Sequence, residues 1–244
     1  MRILLTVAYD GTDFCGYQVQ PSKRTVEEEI NNAIYKITGE KVKSVASGRT
    51  DSGVHALGQK VHFDTNSNIP CKSFYKALNG VLPSDIKVLN SKRVKSDFNA
   101  RYFAKEKTYV YSIYYGETEN PLKSRYKTYV NKALDVEKMK EASKLLVGTH
   151  DFKCFLASGS SVKDTVRTIY SIKIIKKGKE VDIKVSGSGF LYNMVRIIAG
   201  TLVGVSYGSV SLKDIKTALE NGDRKLVGKT MPPQGLCLLS VSYK

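Results

Sequence analysis

Ile3-Leu4-Leu5-Thr6-Val7-Ala8-Tyr9 reads as a buried strand, apolar along most of its length and too short for a globular helix. The segment after it changes period. From Thr25 onward Val26, Ile30, Ala33, Ile34 and Ile37 recur at helical spacing. Thr25 and Glu28 have the spacing of a capping box, the hydroxyl accepting the Glu28 amide and the carboxylate reaching back. Val42–Ser47 and Lys60–Phe63 follow as short strands joined by a glycine-rich connection. Lys72–Val81 is a second helix stopped near Pro83, and Ile86–Val94 is a fourth strand. The order β-α-β-β-α-β is the ferredoxin-like one.

The rest of the chain approximately repeats this order. Thr108–Tyr114 alternates like a half-buried strand, and Asp135 caps a helix that turns Met139, Ala142 and Leu146 inward. Thr168–Ile175 and Val181–Val185 form a hairpin around Lys177-Gly178-Lys179. Phe190–Val205 is a helix apolar almost all round, hence interior, and Ser211 with Asp214 caps another. Leu236–Tyr243 supplies the last strand. The expected class is α+β: two ferredoxin-like halves, residues 1–104 and 105–244, with sheets side by side around a central basic cleft. Glu117–Arg125 and Phe155–Asp164 are surface loops by composition, open to movement before a partner binds.

Composition sets the outer bounds. With 244 residues, 41% hydrophobic and 25% charged, the chain has the makeup of a globular protein and not of a disordered one. No apolar run reaches membrane-spanning length, and the N-terminal apolar run is too short for a secretory core, so a cytoplasmic location is expected. The cysteines, Cys15, Cys71, Cys154 and Cys237, form no C-x-x-C pair and no zinc-site spacing with histidine, so they are expected reduced and mostly buried. The net charge of +16 is spread over both halves, which points to a polyanionic partner bound by folded surface: nucleic acid first, an acidic membrane second.

Three segments can carry chemistry. Ala46-Ser47-Gly48-Arg49-Thr50-Asp51-Ser52-Gly53-Val54-His55-Ala56-Leu57-Gly58-Gln59 lies between two strands, its glycines permitting tight backbone geometry. If it is extended, Arg49 and Asp51 face one side; the alternative is ordinary Asp-Ser-Gly turn chemistry. Arg196 sits in the middle of the apolar helix and needs a carboxylate or phosphate partner, for which Asp51 in the other half is a candidate; otherwise it snorkels at a helix edge. Tyr109 and Tyr111 alternate onto one strand face behind Arg101, Lys105 and Lys107, a stacking platform for an unstacked base or a plainly packed face. Ser186-Gly187-Ser188-Gly189 lacks a Walker lysine and the G-x-G-x-x-G pattern, so it reads as a turn, and no nucleotide cofactor is indicated.

Taken together these residues resemble one family. Gly48-Arg49-Thr50-Asp51-Ser52-Gly53-Val54-His55 is similar to the GRTDxGVH signature of the tRNA pseudouridine synthase A family. Tyr9-Asp10-Gly11-Thr12, with Phe14 and Gly16-Tyr17-Gln18, resembles its opening motif. Phe98-Asn99-Ala100-Arg101, Lys107–Tyr111, Gly148–Phe152, Phe190–Arg196 and Gly235-Leu236 follow in the family's order, from about residue 3 to 243. The resemblance implies that Asp51 is the catalytic aspartate, Arg196 its paired arginine, Tyr109 the tyrosine against the target base, and Arg49 the loop arginine associated with base extrusion. It further implies a homodimer without metal or organic cofactor, isomerising uridine to pseudouridine at positions 38, 39 and 40 of the tRNA anticodon arm through a covalent aspartate-linked intermediate. Tyr17 stands where tryptophan is usual; Val205–Gly208 and Gln234 also depart from the pattern and touch fine recognition more than chemistry. Two other classes are distinguishable by product. A non-catalytic tRNA-binding factor transforms nothing, and a glycosidase with a second carboxylate releases free uracil.

Overall fold

Period-two burial organises the first strand, β1 (Arg2–Tyr9): Ile3, Leu5, Val7 and Tyr9 share one face and are each no more than 4% exposed. This comes from a computed structural model that describes residues 1–159 and 162–244. The chain divides into two units, Met1–Lys105 with Cys237–Lys244, and Glu106–Leu236. Both mix helices and strands, so the class is α+β.

In the first unit β1 pairs antiparallel with β3 (His55–Asp64) and with β4 (Ile86–Val94), and β2 (Val45–Ala46) pairs antiparallel with β3. Helix α1 (Val26–Thr38) buries Val26, Ile30, Ala33 and Ile34, four of the five residues its period singled out, while Ile37 is only partly buried. The capping box expected at Thr25 does not form. The Thr25 hydroxyl is buried without a hydrogen-bond partner, and the Val26 and Glu27 amides are instead taken by the carbonyls of Gly16 and Tyr17. Tertiary backbone thus satisfies two first-turn amides, neither of them the Glu28 amide that the box would have used. The second helix, α2 (Phe74–Asn79), is shorter than 72–81 and packs on β4, with Phe74 and Leu78 buried.

The second unit is built on β5 (Glu106–Tyr115), β7 (Gly148–Asp151), β8 (Val166–Lys177) and β9 (Glu180–Gly187), in the order β5-β9-β8-β7 and antiparallel throughout. A three-residue strand, β6 (Thr128–Val130), joins β5 in parallel. Helix α3 (Val136–Lys144) is capped by Asp135, whose side chain accepts the Lys138 amide; Met139, Ala142 and, just beyond it, Leu146 are fully buried. Next come α4 (Met194–Ser206), interior as its composition requires, and α5 (Leu212–Asn221), where the Ser211–Asp214 capping box is complete. The last strand, β10 (Leu236–Ser242), was expected to complete the second half. It pairs in parallel with β3 through Cys237 and Leu238, and residues 237–244 therefore group with the first unit.

One further expectation changes. Of the cysteines only Cys154 is buried, and the other three are half-exposed. Ser160 and Ser161, within the expected 155–164 loop, lie outside the described residues. Among the described residues no helix is long and apolar enough to cross a membrane.

Candidate active site

The loop carrying Asp51 is held from three sides within the first unit. Arg49 is exposed, Thr50 buried and Asp51 half-buried, so the backbone alternates here as an extended segment does. Thr50 is the anchor. Its hydroxyl lies 2.8 Å from that of Tyr9 at the end of β1, and its carbonyl accepts the Tyr17 amide at 3.0 Å. After Asp51 the chain turns: the Val54 amide donates to the Asp51 carbonyl at 3.1 Å, and the Ser52 hydroxyl donates to the Phe14 carbonyl at 3.0 Å. Gly11 makes the close approach possible, because a Cβ there would stand 2.0 Å from the Val54 carbonyl oxygen.

His55 and Gln59 complete this mounting from β3. The Gly11 amide donates to His55 Nδ1 at 3.0 Å. Asp10 Oδ1 lies 3.2 Å from the same nitrogen and also accepts the Thr12 amide and hydroxyl. Gln59 is fully buried. Its Oε1 accepts the Ser47 hydroxyl at 2.7 Å and its Nε2 donates to the Gly48 carbonyl at 2.8 Å, fixing the residue before Arg49. Burial pushes the Tyr9 phenol well above its usual range, with hydrogen bonds from Thr50 and Gln59 offsetting part of the rise; it is a neutral hydroxyl at any working pH.

The second unit holds the other two expected residues. Arg196 lies not in the middle of its helix but in the first turn of α4, because residues 190–193 are non-helical and the helix begins at Met194. Its guanidinium is held by neutral acceptors, Nε to the Met231 carbonyl at 2.7 Å and Nη1 to Asn193 Oδ1 at 2.6 Å. That geometry differs from a snorkelling arginine, whose head is turned to water. The Met231 segment reaches α4 because Gly200 has no side chain: a Cβ would lie 1.9 Å from the Lys229 carbonyl oxygen.

Tyr109 and Tyr111 share one face of β5, and they differ in use. Tyr111 is fully buried, its hydroxyl bonded to Thr128 Oγ1 at 2.6 Å and to the Pro232 carbonyl at 2.7 Å, so it belongs to the core and not to a stacking platform. Tyr109 is 9% exposed and meets Phe190 edge to face, with ring centroids 5.3 Å apart.

Sequence reading missed Gln59, Phe190 and Asn193 as parts of this machinery. Gln59 had a visible signal, a polar residue on the strand parity otherwise taken by Val61 and Phe63. Asn193 had only the weak one of an asparagine ahead of an apolar run, which does not reveal its left-handed backbone at φ 60°. Among the described residues no group of three or more His, Cys, Asp or Glu is placed to hold a metal ion.

The chain is thus an α+β protein with a half-buried aspartate on a backbone-clamped loop in one unit and an arginine held on carbonyl acceptors in the other. The comparisons with known proteins place it in a family. A sequence profile described as tRNA pseudouridine synthase matches residues 5–103 and 142–244. A chain of Clostridium perfringens named tRNA pseudouridine synthase A 2 is 49% identical over 242 residues, 99% of each chain. Chains named tRNA pseudouridine synthase A from Exiguobacterium sp. and Bacillus licheniformis are each 46% identical, covering 100% of this chain and 98% and 99% of theirs. The chain belongs to the tRNA pseudouridine synthase family.

Proposed function

We propose that the protein isomerises uridine to pseudouridine in the anticodon arm of tRNA, at positions 38, 39 and 40, with Asp51 as the attacking group. The observation that carries the reading is the mounting of Asp51: a half-buried carboxylate on a loop fixed by Thr50, Val54 and Gln59, within the stretch that the family profile matches. A carboxylate held in one place spends no entropy on orientation when the base arrives.

The target base leaves its stack to become reachable. The Asp51 carboxylate then adds to C6 of the ring or displaces the base at C1′. The N1–C1′ bond breaks, the uracil turns while held, and C5 bonds to C1′, displacing Asp51 from that carbon; in the C6 route Asp51 is eliminated from C6 afterwards, and either way the free carboxylate is regenerated. The C5 proton departs and N1 gains one, so the product is an isomer and no oxidant or reductant is consumed. Arg196 takes the role the family resemblance assigns, positive partner of the attacking carboxylate. Tyr109, backed by Phe190, bears on the base, and Arg49, exposed on the loop, assists extrusion. Lysines and arginines of a chain with net charge +16 hold phosphates. The reading also includes a cytoplasmic location, a homodimer and no organic cofactor. Ferredoxin-like halves accompany it, supported in the first unit by the antiparallel neighbours β4-β1-β3 with β2 on β3.

The experiment is tritium release from tRNA carrying 5-tritiated uridine. The protein is expected to release tritium without free uracil, and Asp51→Asn and Asp51→Ala to release none. Undiminished release from both variants sinks the assignment; binding without release by the parent protein indicates a non-catalytic factor, and free uracil a glycosidase.

A further inference from the structure

We infer that Asn193 is a positioning residue for Arg196, setting the direction of the guanidinium through its backbone and its side chain at once. The inference rests on the reading that Arg196 serves the reaction.

Asn193 is one of two described non-glycine residues at positive φ, with φ 60° and ψ 6°. Such a conformation is strained for a typical L-residue, and asparagine is among the few side chains that adopt it readily. It stands at the N-cap of α4, where an asparagine ordinarily turns its side-chain oxygen onto the first-turn amides. Here no such cap bond forms. Its Oδ1 accepts Arg196 Nη1 at 2.6 Å instead, while its backbone carbonyl accepts the Ile197 amide at 3.0 Å and so starts the helix. The left-handed turn is what lets one residue do both.

The opposite side of the guanidinium is fixed independently. Met231 receives Nε on its carbonyl at 2.7 Å, and its amide donates back to the Arg196 carbonyl at 3.3 Å. With Nε and Nη1 both committed, rotation about the last side-chain bonds is locked. Neither acceptor carries a charge. The arginine is thus oriented without being neutralised by these two groups, the condition a residue needs if its charge is to act on a reacting carboxylate. A carboxylate at position 193 could accept the same bond, and it would cancel that charge; an amide orients without doing so.

The test measures single-turnover tritium release and tRNA affinity for Asn193→Gly, Arg196→Lys and the double variant. Glycine keeps the left-handed backbone and deletes only the acceptor. Asn193→Gly is expected to slow the chemical step about tenfold with tRNA affinity changed less than twofold and the melting temperature nearly unchanged. In the Arg196→Lys background, where the bidentate hold is already gone, the same change is expected to cost nothing further. A parent-like rate for Asn193→Gly beside an impaired Arg196→Lys overturns this inference alone, as does a full additional tenfold loss in the double variant. A parent-like rate for Arg196→Lys overturns the role of Arg196 and this inference with it.

Discussion

The hydroxyls of Tyr9 and Thr50 lie 2.8 Å apart, both side chains buried, although the residues are 41 positions apart in the chain. One ends the first strand; the other precedes Asp51. The pair joins the sheet to the candidate nucleophile through a single bond, and it explains why the opening Tyr9-Asp10-Gly11-Thr12 motif and the Asp51 loop occur together.

Tyr9→Phe removes the hydroxyl and leaves the Thr50 oxygen buried beside a ring. The expected loss is about 1–3 kcal/mol of stability, the cost of an unsatisfied buried polar group, read from urea unfolding. Tritium release is expected to fall further than the unfolded fraction accounts for, because the loop loses its anchor. Equal release per folded molecule removes the anchoring role.

Gly11→Ala forces a methyl to within 2.0 Å of the Val54 carbonyl, so the loop or the 10–12 segment must shift. Gly39 is the matched control: it ends α1 at φ 74° with nothing within 4 Å of an added Cβ. Gly39→Ala is expected to cost about 1 kcal/mol of stability and no activity per folded molecule. Gly11→Ala is expected to lower the rate at least tenfold. Comparable activity for the two variants contradicts the proposed mounting of Asp51.

His62 gives the first unit a pH dependence. It is buried, its Nδ1 accepts the Ala100 amide at 3.1 Å, and burial first, then the charge of Arg2, pushes its pKa below 6.5, with Asp64 partly opposing. Between the lowered folded value and the unfolded value near 6.5 the unfolded chain binds more protons. The contribution is therefore complete above about pH 6.5 and is lost as pH falls below it. Melting at pH 7.5 and 5.5 checks this. His62→Asn, which keeps an acceptor and does not titrate, is expected to flatten the difference, and an unchanged difference refutes the assignment.

Salt tests the use of the +16 charge. If basic side chains displace counterions from tRNA phosphates, log affinity falls linearly with log salt concentration, by about a hundredfold or more between about 50 and 200 mM for four or more contacts. Titrations at several salt concentrations give the slope, and a slope near zero rules out phosphate contacts as the main source of affinity.

Local pattern determined much of this protein. The 3.6-residue period marked the buried face of α1, the Asp135 and Ser211 caps were readable from side-chain chemistry a few residues away, and ordered motifs carried the family. These features depend on neighbours in the chain, and neighbours are what a sequence displays. Tertiary structure decided the rest. The Thr25 box does not form, and tertiary carbonyls of Gly16 and Tyr17 take the neighbouring Val26 and Glu27 amides, while Arg196 moved from mid-helix to first turn because Asn193 bends the chain left-handed. Tyr111 became core with Thr128 and Pro232 holding its hydroxyl, while Tyr109 on the same face, also buried, packs edge to face on Phe190. A hydrogen-bonding group takes whichever partner folding brings nearest, and across tens of residues that choice is made in three dimensions.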